Sequence, residues 1–297
     1  MTKICFVVPC YNEEQTINIL YDNLVEVMKK NLPQVEYNIL LVDDGSGDKT
    51  LEKMKALAEK DKNVQYLSFS RNFGKEAAML AGLEYSGGDY VAILDADMQD
   101  PPALIPQMYE ILESGEYDCV CSRRVTRQGE PVIRSLFAKL FYLFMNNIGT
   151  IKLESGCRDF LMITKQVKDA ILSLGEYSRF FKGIFVWVGF RRKWLEYDNI
   201  NRIAGETKWS FWSLLKYALV AFSSFSVQPL IWPFFAGTLL GIVGLAALFI
   251  NAFIGMILIL FAIQLGFLGI LGYYLATIFL ETKRRPKYLI REKNVEK

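Results

Sequence analysis

Short apolar runs alternate with amphipathic stretches over roughly the first 125 residues. Residues 4–8 are apolar and partly β-branched and stop at Pro9; 37–42, 64–70, 90–94 and 118–122 repeat that pattern. Between them, 13–30, 48–60, 75–85 and 101–114 read as helices, with Asp48 placed to cap the second and Pro101-Pro102 to open the fourth. Strands alternating with helices of this length predict an α/β unit with a parallel sheet covered on both faces. The ligand crevice of such a sheet lies beyond the carboxyl ends of its strands. The unusual polar residues fall there: Tyr11, Asn12 and Glu13; Asp43 and Asp44; Arg71 and Asn72; Asp95 and Asp97. Any one of these loops reads equally well as a turn. All of them together point to a site.

Beyond this unit the pattern changes. Residues 134–147 are largely apolar but too short to cross a bilayer, which leaves an interfacial helix or a core helix. The same choice holds for 211–225, where Trp209 and Trp212 suit a headgroup belt. Residues 230–250 and 256–280 are each near the roughly 20 apolar residues that cross about 30 Å of hydrocarbon. A basic tail follows, with Lys283, Arg284, Arg285, Lys287, Arg291 and Lys293. By the excess of cationic residues on cytoplasmic flanks, the tail is expected to be cytoplasmic, and two crossings put the N-terminal domain there too. The expected layout is a catalytic domain over 1–210, a juxtamembrane segment over 211–228, a two-helix hairpin within 229–281 and a tail over 282–297. Gly237, Gly241, Gly244, Gly266, Gly269 and Gly272 would allow close helix contact, within the hairpin or between protomers.

Composition narrows the chemistry. The 297 residues are 52% hydrophobic with a net charge of +2, and none is histidine. That excludes His-ligated zinc and Ser-His-Asp catalysis. The five cysteines match no zinc or haem spacing, and the N-terminus lacks the layout of a signal peptide, so a reducing cytosol is expected around the globular part. No nucleic-acid partner is expected.

Asp95-Ala96-Asp97 directly follows an apolar run. In an extended segment, alternate residues share a side, so both carboxylates can face one ion or one sugar-nucleotide. A hard divalent cation held by one or two carboxylates, with substrate phosphates completing its shell, neutralises a departing diphosphate. Gln99, Asp100 and Pro101-Pro102 continue a polar, rigid loop. Asp43 is placed to accept a uracil ring N–H, with Tyr11 offering an aromatic face. Asp43-Asp44-Gly45-Ser46 also reads as the turn before the next helix.

Val7-Val8-Pro9-Cys10-Tyr11-Asn12-Glu13-Glu14, Val42-Asp43-Asp44-Gly45-Ser46 and Asp95-Ala96-Asp97-Met98-Gln99-Asp100-Pro101-Pro102 resemble the family 2 glycosyltransferases of GT-A fold. With Arg71-Asn72-Phe73-Gly74-Lys75-Glu76 and the two C-terminal spans, the chain resembles the polyisoprenyl-phosphate glycosyltransferases. These include dolichyl-phosphate mannose synthases and bactoprenol glucosyltransferases of the GtrB type. The resemblance implies a GT-A (Rossmann-like, mostly parallel) domain followed by the membrane part. It implies that Pro9, Tyr11, Asn12, Glu13, Asp43, Asp44, Arg71, Lys75, Asp95, Ala96, Arg202 and Lys208 contact the nucleotide-sugar. Asp95, Asp97 and Gln99 would hold Mg2+ or Mn2+. Asp97 would handle the donor with Asp95, and Arg123 and Arg134 would be the basic pair that grips phosphates in catalysis. Asp159, in Ser155-Gly156-Cys157-Arg158-Asp159-Phe160, would be a base or an orienting partner of Arg158. Thr207 stands where relatives often carry Ser before the lysine and keeps the hydroxyl.

The implied reaction is a single inverting displacement, in which a polyprenyl phosphate attacks the sugar of a nucleotide-sugar, UDP-glucose first among donors. UDP-N-acetylglucosamine and GDP-mannose are the alternatives. The bilayer is a partner, and a homo-oligomer, with a tetramer as one form, fits the resemblance. A processive polysaccharide synthase would carry a Gln-x-x-Arg-Trp segment, and none occurs. A non-catalytic scaffold would not need intact acidic loops.

Overall fold

The computed structural model describes residues 2–124, 146–147, 151–152, 157–177, 179–198, 224–225 and 253–296. The expected repeats form β1 (Lys3–Cys10), α1 (Ile17–Asn31), β2 (Glu36–Asp43), α2 (Thr50–Lys60), β3 (Val64–Phe69), α3 (Lys75–Tyr85), β4 (Tyr90–Ile93), α4 (Ile105–Glu113) and β5 (Cys119–Arg124). A single 3-10 turn, Pro102–Leu104, leads into α4 where the paired prolines were expected to open a helix. Then follow β6 (Cys157–Thr164), α5 (Lys165–Ser173), α6 (Phe181–Trp187), β7 (Arg192–Tyr197), α7 (Phe253–Thr282) and β8 (Ile290–Lys293).

Eight strands form one sheet in the order β7-β5-β6-β4-β1-β2-β3-β8. The strands β3, β2, β1 and β4 pair in parallel. Period-two alternation sorts their side chains onto two cores. Cys5 and Val7 of β1 face α3, α5 and α6, with Leu40, Leu67, Phe181 and Ile184. Ile4, Phe6 and Val8 face α1, α2 and α4, with Leu24, Met54 and Met108. Burying each such side chain contributes roughly 1.5–3 kcal/mol, so the crevice at the strand ends sits on a firm base.

Two features depart from a simple alternating sheet. First, β6 enters antiparallel between β4 and β5. Its amino end therefore lies at the carboxyl ends of its neighbours, which carries residues 157–159 to the site. Second, part of the tail expected to be only basic and solvated returns to the sheet. β8 pairs antiparallel with β3, the Tyr288 ring stacks on Phe69 at 4.9 Å between centroids, and Asn294 Oδ1 accepts from the Tyr66 N–H. This covers an edge that would otherwise present unpaired backbone groups.

The segments 134–145, 199–223 and 226–252 lie outside the described residues, and with them the first expected span, most of both expected interfacial segments, Arg134, Arg202 and Lys208. The second expected span falls within the 30-residue helix α7. Taken over the described residues, no helix is long and apolar enough to cross a membrane; side chains at several α7 positions are not among those described. Both oxygens of Glu281, near the end of α7, accept the Tyr177 N–H at 2.8 Å, which ties the helix end to the globular domain.

Candidate active site

The crevice rim is built from four loops. β1 ends at Cys10, paired with Asp43 at the end of β2, and Asp43 is paired with Ser68 of β3. The first two loops are laced together. Asn12, at φ 53°, donates its N–H to Ser46 Oγ at 2.9 Å and accepts the Gly47 N–H on Oδ1 at 2.9 Å. The Glu13 N–H donates to Thr50 Oγ1 at 2.7 Å, and the Glu13 carboxylate accepts from Thr16 Oγ1 at 2.8 Å. Tyr11 remains 38% exposed on this rim, with Pro9 just below it in β1.

The two neighbouring aspartates differ. Asp43 is 1% exposed and accepts from the Ser46 N–H at 3.0 Å and Ser68 Oγ at 2.6 Å. Asp44, expected with the nucleotide contacts, braces the third loop by accepting the Phe73 N–H at 2.7 Å and the Gly74 N–H at 3.0 Å. Burial pushes its carboxyl up to about 6, against those two backbone donors. Gly45 sits at φ +68°, and a Cβ there would lie 2.4 Å from the Arg71 carbonyl carbon, so only glycine lets the loops touch. Arg71 covers the Phe73 ring at 4.1 Å.

That bracing aims Lys75, the first residue of α3. Its Nζ lies 2.6 Å from Asp95 Oδ1 and 2.5 Å from Asp159 Oδ2. Register explains why the two carboxylates meet. The last pair of β4 and β6 is Ile93 with Leu161, and each step along one strand is a step back along the other. Two residues further, Asp95 stands opposite Asp159. Like charges facing each other across strands repel, and Lys75 reverses that. Burial opposes charge on all three groups. For Lys75 the two carboxylates outweigh burial and hold it above the usual lysine range. For Asp159, Lys75 and Lys182 outweigh burial and hold it well below the usual carboxylate range. Asp95 stays raised, because burial and the neighbouring Asp159, Asp100 and Asp97 outweigh Lys75.

From Asp95 to Asp100 exposure alternates. Asp95, Asp97 and Gln99 face outward, whereas Ala96, Met98 and Asp100 are buried. The Ala96 side chain is thus part of the core rather than the crevice. Met98 holds φ 58°, and Asp97 Oδ1 accepts the Gln99 N–H at 3.1 Å. Gln99 Oε1 accepts from Arg158 at 3.1 Å. Arg158 also donates through Nε to Asp100 Oδ1 at 3.2 Å, and the Tyr197 hydroxyl donates to the same oxygen at 2.5 Å. Arg158 is therefore committed to the acidic loop, not to Asp159 alone. Arg123, at the end of β5, pairs with Glu196 at 2.7 Å, outside this cluster.

Among the described residues no three acidic or cysteine side chains gather as a closed metal cage. The outward row Asp95, Asp97 and Gln99 offers only oxygen donors, which suits a hard cation whose shell a diphosphate completes; Asp95 Oδ1 and Gln99 Oε1 are engaged by Lys75 and Arg158. Lys182 and Tyr197 had no signal in the sequence, since neither lies in a recognisable motif. Asp100 and Arg158 were visible as part of the loop and the acceptor-side segment, but their pairing was not.

The framework is GT-A-like. It aligns with glucosyl-3-phosphoglycerate synthase from Mycobacterium tuberculosis, solved with Mn2+, UDP-glucose and phosphoglyceric acid, at TM-score 0.53 and 19% identity, covering 75% of this chain and 78% of that one. That likeness is one of fold. Residues 5–171 match Glycosyl transferase family 2, and the chain belongs to that family and is a glycosyltransferase. The chain is 38% identical to the prophage bactoprenol glucosyl transferase homolog of Escherichia coli (strain K12) over 97% of its own length and 98% of that protein's. It is 37% identical to the bactoprenol glucosyl transferase of Shigella phage SfX, over 98% and 99% of the two chains.

Proposed function

We propose that this glycosyltransferase moves glucose from UDP-glucose to a polyprenyl phosphate, undecaprenyl phosphate in a bacterial setting, at the cytoplasmic face of a membrane. The observation that carries this reading is the Asp95–Lys75–Asp159 bridge, which joins the loop after β4 to the start of β6 at one point. The names of two near-full-length relatives supply the acceptor and the sugar.

Tyr11 and Asp43 are assigned to the base of the donor, and Arg123, Arg134, Arg202 and Lys208 to phosphates. Asp95 and Asp97, with the Gln99 carbonyl, would hold Mg2+ or Mn2+, which when bound offsets charge on the leaving diphosphate. A phosphate oxygen of the acceptor attacks the anomeric carbon as the bond to the UDP oxygen breaks, in one displacement that inverts the centre. The acceptor needs little help to ionise, because an alkyl phosphate has a second pKa near 6 by analogy with phosphorylated side chains. Asp159, held ionised by Lys75, is a weak base and orients rather than deprotonates.

The sequence of α7 has no charged residue between Phe253 and Leu280. Its 30 residues would extend about 45 Å at 1.5 Å per residue. We assign 230–250 and 256–280 to a transmembrane hairpin, with the catalytic domain and both termini cytoplasmic and protomers associating through the hairpin. Membranes incubated with a panel of radiolabelled UDP- and GDP-sugars, then extracted into organic solvent, test this reading. Label from UDP-glucose enters the lipid fraction if it holds. Label from another sugar alone would reassign the donor, and no lipid label from any donor would reject the acceptor.

A further inference from the structure

β3 buries a hydroxyl where it passes Asp43. Leu67 and Phe69 of that strand pack into the core on the α3 side. Ser68 between them points to the opposite face by the period of two and is 1% exposed. A hydroxyl taken out of water costs free energy unless it finds a partner. In the parallel ladder Ser68 stands beside Asp43. Its Oγ donates to Asp43 Oδ2 at 2.6 Å, while Oδ1 accepts the Ser46 N–H at 3.0 Å.

Asp43 is thereby held from two sides. Ser46 lies in the loop after β2, whereas Ser68 lies in the neighbouring strand, so two separate elements stop the carboxylate from rotating. A carboxylate offers about four acceptor positions. One on each oxygen is filled by these donors, which leaves one on each. At 1% exposure no more than a narrow edge of Asp43 meets solvent. That edge suits a single planar ring N–H, as at N3 of uracil, and leaves no room to re-aim the group for a different donor pattern.

We propose that Ser68 is a positioning residue that sets base specificity, by fixing the Asp43 carboxylate in the plane in which it accepts the uracil N3–H. This role rests on the UDP donor and the Asp43 contact proposed above. Without the hydroxyl, Oδ2 loses its short bond and Ser46 holds one oxygen alone. The carboxylate then turns about its Cβ–Cγ bond, and the aligned acceptor is lost. Discrimination against a base that lacks the N–H falls with it, because such discrimination depends on a fixed polar group left unpaired by the wrong ligand.

The test titrates UDP, N3-methyl-UDP and CDP into the full chain in detergent with Mg2+, by calorimetry, for the wild type, Ser68→Thr and Ser68→Val. Thr and Val have nearly the same shape, so the pair isolates the hydroxyl. Ser68→Val should bind UDP about tenfold more weakly than Ser68→Thr. N3-methyl-UDP and CDP, which have no N3–H, should change less than about twofold, so the preference for UDP shrinks. If Ser68→Val does not fold, Ser68→Ala against the wild type gives the same comparison. Equal UDP affinity with and without the hydroxyl overturns the role. An equal loss for all three nucleotides also overturns it, since that is what a purely structural serine would give. A strong UDP preference in the wild type that persists without the hydroxyl keeps the Asp43 contact and rejects the role of Ser68. A wild type that binds N3-methyl-UDP as tightly as UDP rejects the Asp43 contact and the role together.

Discussion

Lys75 Nζ lies 2.5 Å from Asp159 Oδ2, although 84 residues separate them in the chain. The contact depends on β6 running antiparallel beside β4, which sets Asp159 across from Asp95. Lys75 thereby holds two carboxylates together.

Replacing Lys75 with Met leaves those carboxylates facing each other without a counter-charge. Removing one partner of a partly dehydrated pair of this kind destabilises it far more than removing both. Transfer should fall about 100-fold or more. The thermal unfolding midpoint, read by circular dichroism, should fall as well, because the two carboxylates are left without their counter-charge. Lys75→Arg should recover part of the rate.

If Asp159 orients rather than deprotonates, Asp159→Asn and Lys75→Met damage the same arrangement. The double variant should then be about as slow as the worse single variant, since residues in one network fail to add. Rate constants for the four proteins measure this coupling. A base role predicts instead that Asp159→Asn recovers as pH rises and the acceptor ionises fully.

The outward carboxylate row predicts that a chelator abolishes transfer and that added Mg2+ or Mn2+ restores it. Asp97→Ala should lose at least about 100-fold in kcat and should not be rescued by excess metal.

Tyr288 stacks on Phe69 and its hydroxyl donates to Glu84 at 3.0 Å. Tyr288→Ala removes both and leaves β8 poorly anchored. A loss of about 2–4 kcal/mol in unfolding free energy is expected, measured by denaturant titration of the globular part's fluorescence.

Burial, with Arg179 nearby, pushes the Lys287 ammonium down to about 8. The folded state then binds fewer protons than the unfolded chain between about pH 8 and the ordinary lysine value near 10.4. This group therefore penalises folding below pH 8, and the penalty fades as pH rises toward 10. Lys287→Met should flatten that rise in unfolding curves taken from pH 8 to 10.

Much of this was legible from residue pattern. The strands from β1 to β5 and their helices follow apolar runs and turn chemistry, and the outward set Asp95, Asp97 and Gln99 follows from period two in an extended loop. The return of β6 was not legible. Cys157–Thr164 carries only a short apolar run, Phe160 to Ile163, behind the charged Arg158 and Asp159, and nothing local places such a run antiparallel in the middle of the sheet. β8 was hidden for a similar reason: Ile290–Lys293 is three-quarters polar, and only its pairing with β3 gives it strand form. Arg71 and Lys75 read as nucleotide-sugar contacts in sequence. The partners of Lys75 and Arg158, namely Asp95 and Asp159 for the one and Asp100 and Gln99 for the other, lie 20 or more residues distant in the chain, and spacing does not reveal them.

The proposed single displacement on a lipid phosphate fixes both where the glucose goes and its anomeric configuration. Purified protein supplied with UDP-glucose, undecaprenyl phosphate and Mg2+ should yield glucose in the organic phase, and the anomeric coupling of that product in proton NMR should be that of a β-linked sugar. An α-linked product, or UDP released while all glucose stays in water, would contradict it.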